Sequence, residues 1–97
     1  METLGEIIHK EREKRNLLLR HVGAALDIDQ ALVSKYERGE RLPTKEQVIR
    51  LAKYYAINEN DLMAAWLADK ILIELRNEKM ALRAMKLVEE KIKSLKK

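Results

Sequence analysis

Cysteine is absent from this chain, which excludes a disulfide scaffold and any thiolate metal site. Phenylalanine is absent too, and one tryptophan with three tyrosines leaves little for an aromatic-rich core or a base-stacking platform. Three glycines and one proline are too few to punctuate a many-stranded fold. No apolar run approaches the roughly eighteen residues of a membrane-spanning helix. The opening residues, with Glu2, Glu6 and Lys10 among them, lack the basic end and apolar stretch of a secretory signal. The expectation is a soluble, cytoplasmic protein. Neither charge sign dominates: 20 basic and 16 acidic residues give a formal +4, which permits nucleic-acid binding but falls far short of a histone-like tail. Divided after Ile57, the two parts carry the same excess of basic residues, so any functional signal has to be local.

What is present favours helices. The 97 residues suit one small domain with a tail. Runs of Lys, Glu, Arg, Leu and Ala predict an all-α fold with a core of Leu, Ile, Val, Ala and Met. Thr3 and Glu6 form a capping box for a first helix over residues 4–15, with Asn16 as its stop. Leu18, Val22, Ala25 and Leu26 recur at three- and four-residue intervals and give a short second helix. Asp27-Ile28-Asp29 then interrupts, and Asp29 caps a third helix over residues 30–38 that Gly39 closes. Thr44-x-x-Gln47 opens a fourth helix and Asn58-x-x-Asp61 a long fifth, which absorbs Ile71-Leu72-Ile73, a strand-like triplet with no partner strand. Asn77 separates off a sixth, over residues 78–95.

Helices two and three, short and joined by a tight turn, have the shape that lets one helix enter the DNA major groove while the other crosses the backbone. The residues themselves sharpen that reading. Val22-Gly23, then Asp27-Ile28-Asp29-Gln30, then Tyr36-Glu37-Arg38-Gly39 with Pro43 beyond, resemble the lambda-repressor-like, or XRE, helix-turn-helix family over about residues 4–62. The resemblance implies a five-helix DNA-binding domain at residues 1–62, sequence-specific binding to double-stranded DNA, and a helical extension at residues 63–97.

Matched position by position, it implies that Val22, Ile28, Val33 and Tyr36 lock helices two and three together. Gly23 is then small because the helices cross closely, and Arg12 pairs with Glu37 to tie helix one to the end of helix three. Base reading falls to Gln30, Ala31, Ser34 and Lys35, with Leu32 a fifth candidate. Their chemistry suits base edges, since Gln can bond adenine N6 and N7, Lys can donate to guanine O6 and N7, and Ala can meet a thymine methyl. The alternative is that they form the solvated face of an amphipathic helix. Phosphate contacts are expected from Arg38, Arg41 and Lys45 with backbone N–H groups of the Gly39 loop and the start of helix four. Against that, these are solvated loop charges that Glu40 partly cancels. Leu18 and Leu19 depart from the family, which usually has Ser or Thr and then Gln there, and can neither cap nor bond a phosphate. Either Arg20 takes over that contact or the two leucines pack against the tail. Asp27 stands where glycine is common.

Other classes fare worse. Two histidines, two serines and no phosphate-cradling glycine loop are poor equipment for an enzyme, so neither catalysis nor a cofactor is expected. His9 and Glu13 share a helix face but supply only two ligands for a metal. A protein-binding module on the same fold is the rival, supported by the apolar Leu18, Leu19 and Leu32 at otherwise polar positions. The expectation is a transcriptional regulator, a repressor rather than an activator, occupying an operator through helix three. With no separate sensor domain, no small-molecule ligand is expected.

The sixth helix carries an apolar stripe of Ala81, Ala84, Met85, Val88, Ile92 and Leu95. It either folds back on Trp66, Leu67, Ile71 and Leu75 or pairs two copies. A homodimer seamed by Ala84, Met85, Val88, Ile92 and Leu95 is the expectation, because two-fold pairing doubles the DNA contacts and sets half-sites about 34–36 Å apart.

Overall fold

Four of the six helices among the described residues begin where a short polar side chain accepts a hydrogen bond from the first turn. In the computed structural model, which describes residues 2–96, Thr3 Oγ1 accepts from the Glu6 N–H at 3.1 Å, ahead of α1 (Leu4–Lys14). Asp29 accepts from the Ala31 N–H at 2.8 Å, ahead of α3 (Gln30–Glu37). Thr44 accepts from the Gln47 N–H at 3.2 Å, ahead of α4 (Lys45–Tyr55), and Asn58 from the Asp61 N–H at 3.0 Å, ahead of α5 (Glu59–Leu75). At α2 (Leu19–Leu26) the preceding Leu18 has no acceptor to offer. His21 Nδ1 reaches back instead and accepts from the Leu18 N–H at 2.9 Å. Left-handed residues end α1, α2 and the turn after α3: Asn16 at φ 55°, Asp27 at 56° and Gly39 at 73°. These are residue types that tolerate that region. Ala56, at φ 55° after α4, is not.

The element order α1 to α6, with no strand among the described residues, is the all-α fold expected. Helices α2 and α3 pack as the central pair, with α1 and α4 across them and α5 against α4 and α1. Leu4 and Ile8, Val22 and Leu26, Val33 and Tyr36, Leu51 and Tyr55, and Leu62 are each at most 5% exposed and form one core. Two glycines allow the close approaches. A Cβ at Gly23 would lie 2.7 Å from the Ile28 carbonyl oxygen, and one at Gly5 would lie 2.5 Å from that of Tyr36. The beginning of the α2–α3 turn and the α1–α3 crossing therefore exclude even a methyl group.

The sequence misplaced some details. Ala25 and Leu18 are exposed, so the buried face of α2 is Val22, Gly23 and Leu26 alone. Leu18 lies beside Arg12, Glu13 and Leu17, and Leu19 packs on the core. The expected division at residue 62 falls inside an unbroken α5. That helix stays attached beyond it: Trp66 Nε1 donates to the Pro43 carbonyl at 2.8 Å, and Asp69 accepts from the Leu4 N–H at 2.8 Å. Met1 and Lys97, the outermost residues of the two expected segments, lie outside the described residues. Helix α6 (Ala81–Leu95) starts three residues later than expected and has no side-chain cap.

No residue of α6 is buried. Ala81, Ala84 and Met85 are half-covered, whereas Val88 is 40%, Ile92 46% and Leu95 84% exposed. The Cα radius of gyration of 15.3 Å exceeds the roughly 13 Å of a compact chain this long, consistent with a helix that stands off the domain.

Tyr55 is 1% exposed, stacks edge-on to Tyr54 with ring centroids 5.0 Å apart, and its hydroxyl has no hydrogen-bond partner among the described residues. Burial pushes its phenol well above the ordinary value of 10.0. Because the folded-state value lies above the unfolded one, the associated stability is complete below about pH 10 and lost as pH rises beyond it. Tyr55→Phe should hold or raise stability at neutral pH, by up to about 1–2 kcal/mol for removing an orphaned hydroxyl. Melts followed by circular dichroism should also show a shallower loss of stability above pH 10 than in the unaltered chain.

Candidate nucleic-acid interface

Helix α3 buries one side and offers the other. Val33 and Tyr36 point into the core, while Gln30, Ala31 and Lys35 are exposed and Ser34 is half-buried. At roughly 100° per residue these four span about 140° of the helix surface, a polar strip broad enough to meet base edges. Leu32 is not part of it, because its side chain packs partly buried against the core.

The strip is aimed by contacts at the far end of α3. The Glu37 carboxylate, with its side chain only 5% exposed, receives Arg12 Nε at 2.8 Å and Arg12 Nη2 at 3.0 Å, a two-pronged pair between α1 and α3. Arg12 Nη1 donates further to the Leu17 carbonyl at 2.9 Å, so one guanidinium joins α1, α3 and the entry to α2. Bonding to Glu37 raises the Arg12 pKa above its ordinary value, and the charge is fixed in place.

The basic residues around α3 are less uniform. Arg20, Arg41 and Lys45 are exposed, and among the described residues none of them forms a salt bridge, nor does Lys35. Arg38 is held by Glu40. Arg41 lies near enough to Tyr36 for its charge to offset part of the upward shift that burial gives that phenol.

A family model described as helix-turn-helix matches residues 8–62, more than half of the chain. The protein belongs to that family, of the lambda-repressor-like, XRE type. It is a DNA-binding helix-turn-helix regulator on a lambda-repressor-like fold, and the family is not one of enzymes. No curated protein and no solved structure matches the chain. No helix among the described residues is long and apolar enough to cross a membrane.

Several contacts that orient this helix-turn-helix were not read from the sequence. His9 Nδ1 lies 2.7 Å from Glu37 Oε1, and its other ring nitrogen meets Glu13, so the residue weighed as half of a metal pair bridges two carboxylates. Arg15 donates to the Tyr55 carbonyl at 2.6 Å and lies 5.3 Å from the centre of the Tyr55 ring, tying α1 to α4. The i, i+4 spacing of His9 and Glu13 was visible. The approach of Glu37, 28 residues away, was not.

Removing Arg12 would leave the Glu37 carboxylate with His9 alone, in a place where water reaches it poorly. Arg12→Ala should therefore destabilise the fold by about 3–5 kcal/mol, the loss typical of halving a desolvated pair. Thermal melts would register this as a lowered midpoint in the absence of DNA, and an unchanged midpoint would refute the anchoring role.

Proposed function

We propose that this helix-turn-helix protein is a repressor that occupies an operator as a homodimer, with α3 in the major groove. The observation that carries the reading is the division of α3 into a core-locked side and an unpaired polar side. Gln30, Ala31, Ser34 and Lys35 read base edges in this account, and Arg20, Arg41 and Lys45 hold phosphates and set the register. Arg38 contributes once phosphate competes for it with Glu40, which makes it the weakest of the four. The seam between copies is the α6 face of Ala84, Met85, Val88, Ile92 and Leu95. Occupying the operator is the whole mechanism: no cofactor or small-molecule ligand enters, and control comes from chain concentration, autoregulation or a protein partner. The setting is a cytoplasmic one.

Selecting bound sequences from a random DNA pool tests the reading directly. A two-fold-related site is expected, whereas a pool that enriches nothing would overturn the proposal in favour of a protein-binding module. With the site known, Lys35→Ala should cost about 1–3 kcal/mol of binding and relax the preference at one base pair. Uniform weakening on every sequence would move Lys35 to the phosphate set.

Salt titration separates the two kinds of contact. Arg41→Ala and Lys45→Ala should each weaken binding to all sequences and flatten the dependence of log K on log salt by about 0.9 per lost phosphate contact. An unchanged slope would return these side chains to ordinary solvated charges.

A further inference from the structure

The order of side-chain sizes along α6 carries information beyond the homodimer reading, on which the present inference rests. Small Ala81 and Ala84 stand at one end of the apolar stripe, large Ile92 and Leu95 at the other, and Val88 midway. Met85, the one large apolar residue of the stripe at the small end, falls opposite the Lys91 stem when the helix is reversed about Val88. Turned end for end about Val88, the stripe complements itself: Ala81 falls opposite Leu95, Ala84 opposite Ile92, and Val88 opposite Val88. Parallel pairing would set Leu95 against Leu95 and Ala81 against Ala81, leaving the Ala81 end underfilled. Large against small keeps the packing even along the whole length.

The surface of the α5–α6 hairpin agrees with that arrangement. At the Ala81 end an open apolar groove of about 410 Å³ has Leu72, Leu75 and Leu82 among its walls. A larger groove of about 880 Å³ runs on along α6, with Ile71 of α5 on one side and Met85, Val88 and Ile92 on the other. Leu95, 84% exposed, is a bulky group with no place in its own chain, and Leu82 in the groove wall is 85% exposed. Area points the same way. A stable pair buries about 800 Å² per partner, whereas a 15-residue helix is only about 22 Å long and about 10 Å across. The walls that α5 contributes supply the remaining contact.

We propose that the occupant of both grooves is α6 of a second copy, antiparallel, with the two-fold axis at Val88 and each Leu95 seated over its partner's Ala81. Each α6 then lies between the α5 and α6 of the other copy, and the two hairpins close into a four-helix bundle.

Because the chain has no cysteine, single engineered thiols report neighbours without background, and a disulfide forms only where Cα atoms come within about 4.4–6.8 Å. Under mild oxidation Val88→Cys should cross-link to itself. Ala81→Cys and Leu95→Cys should each stay single alone and cross-link when mixed. Glu90→Cys, exposed, outside both grooves and about 160° round the helix from Val88, should not cross-link. Self-cross-linking of Leu95→Cys, or a dimer in which neither Val88→Cys nor the mixture reacts, would overturn the antiparallel register and leave the homodimer reading standing. A wild-type chain that sediments as a monomer at tens of micromolar, with Val88→Cys unreactive, would overturn both.

Discussion

The direction in which α3 points is decided at its C-terminal end, where the Glu37 carboxylate meets Arg12 and His9 of α1. Gly5 lets the α1 backbone come within reach of the Tyr36 and Glu37 carbonyls, and without that approach the charges would not face each other. A desolvated pair of this kind contributes little net stability compared with a well-packed apolar substitute. Its effect lies in what it excludes. Any arrangement that slides α1 along α3 separates a guanidinium from a carboxylate with little water to compensate either, so competing packings of the same helices rise in energy while the native one does not. The polar strip of α3 inherits its orientation from that constraint, as does the entry to α2 through the Arg12 bond to the Leu17 carbonyl.

Features that depend on a few neighbouring residues were legible in the sequence. Thr3, Asp29, Thr44 and Asn58 cap helices because each acceptor serves an N–H two or three residues on. Asn16, Asp27 and Gly39 turn the chain because their own backbone preferences allow it. The turn at Ala56 carried no such mark, since alanine is disfavoured in the left-handed region and adopts it only because the packing of α4 and α5 demands it. Leu18 marked no cap either, and the acceptor came from His21 three residues later, a substitution that residue type alone does not announce. Asp69 and Leu4 are 65 residues apart in sequence and joined only by the assembled fold.

The candidate interface divides along the same line. Which side of α3 faces outward followed from its apolar spacing, and the burial of Val33 and Tyr36 matches that spacing. Leu32 stands at the margin of the amphipathic stripe, where neighbours in space decide a residue's place, and it packs partly buried against the core. Arg38 and Arg41 look equivalent in sequence, yet Glu40 engages one and not the other. Composition counts charges, while a site depends on which of them remain unpaired.

The two ends of the molecule solve opposite problems. Through Leu62 most of the large apolar side chains find a common interior, whereas Leu67, Leu72 and Ile73 on the later turns of α5 stay 46–60% exposed. Helix α6 has a stripe as regular as any in the domain, but a stripe specifies a face and leaves its destination open. Its own chain half-covers Ala81, Ala84 and Met85, and Leu82 and Leu95 remain more than 80% exposed. An isolated copy therefore keeps apolar surface in water that association would bury, at about 25 cal/mol for each Å² removed. On the proposed reading, the contacts that read DNA lie in the part that is complete alone, and the contacts that double them lie in the part that is not. Operator occupancy then rises faster than in proportion to chain concentration, because each bound unit must first be assembled from two. On that reading binding acquires a concentration threshold, and the unsatisfied face of α6 is its physical source.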